Sequence, residues 1–283
     1  MRLAEIRCYP VKGARGVALP EATVERRGIA GDRRWMLVDA ANRFVTQREL
    51  PALARLRAEP CGPGLRLAFG GAAIGVAEPS AAAAAIATGV WGDAVLLREA
   101  AEAKPWLSAR FGMPLRLGFQ ADDMHRPVDP DWGGRAGDEV SLADGFPLLV
   151  TSTASLASLE VQAGAPLPMA RFRPSLVVEG APAWDEDCWR RLKVGDVEIE
   201  LVKPCTRCTV VTVDQEHGVV TGPEPLDTLR RMRFSADRRL PGLLFGWNAV
   251  PRRLGRVRIG DVVEVLERGP GWPLGRPRPE ARG

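Results

Sequence analysis

The feature that most constrains the fold of this chain is the cadence of its first fifty residues, where short apolar runs are punctuated by turn residues every few positions. Residues 3–9 have strand character and stop at Pro10, and residues 11–16 read as a glycine-containing turn. Residues 22–25 suggest a second strand, 28–32 a turn, and 34–39 a third strand closed by Asn42, with 44–48 following at hairpin distance. Short strands at this spacing predict a sheet or barrel more than βαβ units. A chain of 283 residues that is 46% hydrophobic is expected to divide its core between two lobes.

Further along, residues 62–90 are rich in glycine and alanine and read as strands and loops. Residues 98–111 look helical, with Gly112 as C-cap and Pro105 dividing the run. Residues 122–137 hold Pro127, Pro130 and the pair Gly133–Gly134, and are expected to connect the lobes or to cover a cleft. Residues 147–150 read as a buried strand, after which Thr151, Ser152 and Thr153 cap a helix ending near Gly164. That cap predicts a small anion site of free amides and two hydroxyls above the strand. Residues 172–178 are a further strand with Arg173 at its entry, 185–191 one or two helical turns, and 225–233 a short helix. Residues 257–265 close the sheet, and 268–283, rich in Pro, Arg and Gly, read as a disordered tail.

No run of about 18 apolar residues is present to span a bilayer, and the N-terminus leads directly into a strand pattern without an apolar signal region. A cytoplasmic protein without membrane contact is the resulting expectation. The formal charge of +4 rests almost wholly on arginine, since Lys12, Lys104, Lys193 and Lys203 are the only lysines. Guanidinium forks suit phosphate and carboxylate, whereas the interleaving with 35 acidic residues argues against a nucleic-acid surface.

Chemistry concentrates at residues 197–214. A strand-like run breaks at Pro204, presents Cys205 and Cys208, and is expected to resume as a β-branched strand at Val210, Val211 and Val213. One CxxC is half of a tetrahedral zinc site, and with two histidines in the chain nothing completes it. A redox CxxC opens a helix, which the β-branched residues after Cys208 disfavour. Two readings remain: both cysteines are small buried hydrophobes, or Cys208, with Arg207 beside it and Lys203 near, is an exposed thiolate able to attack or to bind a soft metal. Lys12, Arg33, Arg34, Arg48 and Arg173 lie at predicted turns or strand entries where they can converge on an anion. Each alone is more often a solvated surface charge than a ligand, and Asp144 alone can simply make an Asx turn.

Taken together, Tyr9-Pro10-Val11-Lys12-Gly13 with Arg15-Gly16 and Gly31-Asp32-Arg33-Arg34-Trp35 resembles the MOSC N-terminal β-barrel domain. Phe172-Arg173-Pro174-Ser175 and Cys205-Thr206-Arg207-Cys208-Thr209 resemble the MOSC domain. The match, from residue 2 to about 266, is most similar to the bacterial YcbX-type proteins and the mitochondrial amidoxime-reducing component. The resemblance implies a mainly β protein with short helices: an N-terminal β-barrel-like lobe at 1–118, a MOSC β-barrel lobe at 119–267, and a cofactor cleft between them. It implies a molybdenum cofactor whose metal is bound by Cys208 and not by Cys205, with Lys12, Gly13, Arg33, Thr151, Ser152, Arg173, Ser175, Thr206 and Arg207 around the pterin. Asp144 is expected to touch cofactor or substrate. Gly13 stands where the mitochondrial proteins carry serine, and Ser175 where they carry asparagine. The implied activity is reduction of N-hydroxylated compounds, with electrons from a separate donor: a ferredoxin, or a cytochrome b5-like protein with its reductase. The rival expectation is a sulfur carrier bearing a persulfide on Cys208.

Overall fold

A computed structural model describes residues 1–275. It is mainly β, with three short α-helices among the described residues: α1 (Ala103–Phe111), α2 (Thr153–Ala163) and α3 (Leu226–Met232). The largest sheet runs in the order 263–268, 189–194, 197–207, 243–253, 148–152, 176–179, 2–8, 17–19. Its pairings along this order are antiparallel except for Leu148–Ser152 against Leu176–Glu179, which are parallel and joined by a crossover through α2. One βαβ unit is therefore built into a sheet whose strand cadence pointed away from such units. A five-stranded sheet of 85–90, 93–99, 116–119, 35–38 and 11–12 organises the other lobe, with a three-stranded sheet of 57–61, 64–69 and 72–76 beside it.

The expected division at residue 118/119 is not a division between sheets. Arg2–Cys8 pairs with Leu176–Glu179 and Glu21–Glu25 with Gly255–Arg258, so both join elements of the larger lobe, while Val11–Lys12 between them pairs with Trp35–Val38 in the smaller one. Hydrophobic burial explains this: Leu3, Ile6, Val24 and Ile29 pack in one core with Trp189, Ile199, Trp247 and Val257, all at most 3% exposed. A second core gathers Trp35, Leu37, Leu53, Leu67, Leu107 and Leu117. A third layer packs α2 and α3 onto the large sheet through Leu159, Phe172, Leu229 and Phe245.

Several local expectations are corrected. Residues 98–99 finish a strand, and the helix begins at Ala103, so Pro105 lies in its first turn, where amides lack intrahelical partners and proline is tolerated. The strand Val197–Arg207 does not break at Pro204 but continues through it, at the cost of three register shifts against Leu243–Arg253. Val210, Val211 and Val213 do not form a strand; Thr209–Thr212 is a single 3-10 turn. Residues 268–275 are not a disordered tail: Leu274–Gly275 pairs with Phe234–Ser235, and Trp272 donates to the Ser235 hydroxyl at 2.9 Å while resting edge-on against Trp247. The remainder of that expectation, residues 276–283, lies outside the described residues. No helix among the described residues is long and apolar enough to cross a membrane.

Candidate functional site

Tyr9 is the pivot on which the site is assembled. It follows the first strand directly at 2% exposure, and Gly16 permits its ring to seat, since a Cβ there would lie 2.4 Å from Cε1. The ring carries two guanidinium groups, Arg33 and Arg173, each with Cζ 4.3 Å from the centroid. Both arginines adopt left-handed backbone conformations (φ 48° and 55°), a strain of about 1–3 kcal/mol each that tertiary contacts must hold. Arg33 pairs with the buried Asp32, whose other oxygen accepts the Tyr9 amide at 2.7 Å, and Arg173 donates to the Ala14 carbonyl at 2.7 Å.

Arg33 and Arg173 line a cavity of about 160 Å³, partly open to solvent, between the two lobes. Lys12, Gly13, Thr46, Gln47 and Arg48 come from the N-terminal side, and Asp144, Phe146, Arg171, Arg173, Ser175, Asn248 and the segment 205–208 face them. Six cations (Lys12, Arg33, Arg48, Arg171, Arg173, Arg207) thus border one space whose lining contains a single carboxylate, Asp144. Lys12 is 6% exposed and forms a very short ion pair with Asp144. Burial lowers the Lys12 pKa against the opposing pull of Asp144. Desolvation opposes ionisation of Asp144, but Lys12 outweighs it and holds the carboxyl well below its usual range. Burial brings Arg173 down to about 10, with Arg33 adding repulsion. The Arg171 Nε is buried without a partner. An anion in the cavity would offset the desolvation of Lys12 and Arg173 and the repulsion between Arg33 and Arg173.

Cys208 is exposed at the entry of the 3-10 turn. Cys205 also lines the cavity, where burial raises its thiol pKa despite Arg207. Arg207 is held by the carbonyls of Phe245 and Phe172, at 3.0 Å each. Lys203 lies over the rings of Trp132 (4.6 Å) and Phe146 (5.6 Å) and near enough to Cys205 to favour its thiolate.

The structure therefore brings together Lys12, Gly13, Arg33, Asp144, Arg173, Ser175, Thr206, Arg207 and Cys208. It does not bring Thr151 and Ser152 there. Both are fully buried, because their strand enters from the cavity at Leu148 and Leu149 and carries them away from it toward α2. The expected helix-terminus anion site fails for the same reason, and Ser152 makes no side-chain cap bond. Ser175 holds the strand edge by donating its amide to the Leu149 carbonyl at 2.8 Å and accepting the Leu149 amide at 3.2 Å on its hydroxyl. Arg171, Thr46, Gln47, Phe146 and Asn248 carried no signal in the sequence beyond residue type; topology alone places them.

The MOSC N-terminal β-barrel domain model matches residues 1–114 and the MOSC domain model residues 137–264. The chain is 31% identical over 280 residues to mitochondrial amidoxime-reducing component 1 of Homo sapiens, covering 93% of this chain and 82% of that protein. It is 30% identical to the Xenopus laevis protein of the same name, covering 94% and 82%. Mitochondrial amidoxime reducing component 2 of Homo sapiens is 39% identical over 129 residues, covering 44% of this chain and 38% of that protein. A crystal structure of the YUAD protein from Bacillus subtilis aligns over 93% of each chain with a TM-score of 0.41 at 9% identity. The cytoplasmic expectation is corrected by these relatives, which are mitochondrial by name. It rested on the lack of a long apolar segment, which bears only on helical membrane insertion. With both domain models in tandem and about 30% identity over nearly its whole length, the chain belongs to the MOSC family of the amidoxime-reducing components.

Proposed function

We propose that this protein is a molybdenum-cofactor-dependent reductase of N-hydroxylated compounds, with Cys208 holding the metal. The observation that carries the reading is the convergence of six cations and one exposed thiol on a single interlobe cavity, in a chain 31% identical to an amidoxime-reducing component. Among the described residues no group of three His, Cys, Asp or Glu converges on one point, so a metal at Cys208 needs ligands that a pterin dithiolene would provide. Lys12, Arg33, Arg171 and Arg173 would hold the pterin phosphate, and the Gly13 backbone, Ser175, Thr206 and Arg207 would border the ring system. When bound, the group supplies two-electron removal of oxygen from the substrate nitrogen. Asp144 keeps Lys12 charged and offers an acceptor at the cavity wall. Electrons are proposed to come from a ferredoxin, or from a cytochrome b5-like protein with its reductase.

Protein made in a molybdopterin-competent host is expected to carry close to one molybdenum per chain, and Cys208→Ala to lose at least tenfold in metal content and activity. Full metal retention in the variant, or wild-type protein free of molybdenum, refutes the assignment. A labile extra sulfur on Cys208 in pterin-free protein would point to the persulfide carrier instead.

A further inference from the structure

The hairpin Ala85–Val90/Asp93–Glu99 turns through Trp91 and Gly92, both at positive φ (54° and 104°). Such a two-residue turn favours Asn-Gly, and a tryptophan in the left-handed region is unfavourable without a compensating role. Trp91 does not repay the strain by burial: it is 54% exposed. The hairpin tip is instead clamped in place. The fully buried Arg126 donates to Asp93 at 2.7 Å and to the carbonyls of Ser141 and Ala143, the segment that leads into Asp144. Trp91 is held edge-on to Phe44 with ring centroids 5.4 Å apart. The Arg48 guanidinium lies over the indole, its Cζ 4.4 Å from the centroid, and Arg48 itself lines the cavity. An indole backing a planar cation that lines the same cavity as Cys208 forms a layered surface.

We propose that Trp91 and Arg48 form a stacking platform that selects substrates carrying an aromatic ring on the N-hydroxylated group, Trp91 acting as a positioning residue behind Arg48. The proposal rests on the reductase reading for the reacting group, but the platform itself is read from binding alone. A ring stacked on the guanidinium shares its face with the indole, and loss of one such layer costs three- to tenfold in affinity, on the order of an aromatic pair. Arg48→Lys keeps the charge and removes the plane.

The test uses the full protein, oxidised and without donor, titrated with benzamidoxime and acetamidoxime by calorimetry. Trp91→Ala is expected to raise the Kd for benzamidoxime about three- to tenfold with acetamidoxime unchanged. Trp91→Phe is expected to restore most of the preference, and Arg48→Lys to lower it. With a small-molecule reductant in place of a protein donor, the same selectivity is expected in KM rather than kcat. Equal effects on both ligands, no effect on either, or no preference in the wild type overturn the platform. Absence of turnover with normal selective binding overturns the reductase reading and leaves the platform standing.

Discussion

At the residue scale, the chain buries charge in two places of different kind. Around the cavity, Lys12 is buried and Arg33 and Arg173 are partly buried, and the partners of these cations leave a net positive space. Behind the large sheet, Glu186 is 1% exposed, accepts from the Ser155 hydroxyl at 2.7 Å, and keeps its other oxygen unpartnered. Burial pushes its pKa from 4.5 up to about 7, the Ser155 bond opposing. The folded state therefore holds a proton that the unfolded state has lost between those values, so stability falls as pH rises from about 4.5 to 7. The loss is on the order of 3 kcal/mol over that window, and Glu186→Gln is expected to flatten it, read as urea midpoints at pH 5 and pH 7.5. None of this was visible in the sequence, where Glu186 lies in the acidic run Asp185-Glu186-Asp187. The cavity cations fared better, because Lys12, Arg33 and Arg173 sit at turns beside Pro10, Gly31 and Pro174, and turns bring side chains to sheet ends. Thr151 and Ser152 misled because hydroxyls before a helix signal a cap, while strand direction decides which end of the sheet they reach.

At the element scale, close approach between segments sets what can vary. Gly28 has φ 100°, and a Cβ there would lie 2.1 Å from the Pro147 carbonyl oxygen, just before the strand that forms one cavity wall. Gly28→Ala is expected to destabilise by about 3 kcal/mol, combining left-handed strain with a backbone clash, and a thermal melt measures it. The glycine announced a turn in the sequence but not the partner it meets, which is 119 residues away. The same asymmetry holds for Val197–Arg207. Its alternating pattern marked the strand, whereas its passage through Pro204 depended on a partner strand able to absorb the register shifts.

At the scale of the molecule, the lobes are interleaved and not sequential. Removing residues 1–118 takes Leu3, Ile6, Val24 and Ile29 from the larger core, roughly 6–12 kcal/mol of burial, comparable to a domain's whole stability. A fragment of 119–267 is expected to show no cooperative melt by circular dichroism, and a folded fragment would contradict the interleaving. The family resemblance conveyed two domains in order; the pairing of Arg2–Cys8 and Glu21–Glu25 with strands beyond residue 175 was hidden, because a strand's sequence does not name its partner. The interleaving also bears on how the chain comes off the ribosome. Arg2–Cys8 has its first antiparallel neighbour at Val17–Leu19, but the strand at 176–179 that covers its other edge is made some 170 residues later. At about 5–20 residues per second, that edge stays open for roughly 10–35 s of synthesis. The Arg2–Cys8 strand thus waits through some 170 residues of synthesis for its second partner, which makes nascent chains stalled before residue 176 prone to strand-edge aggregation and a natural client for chaperones.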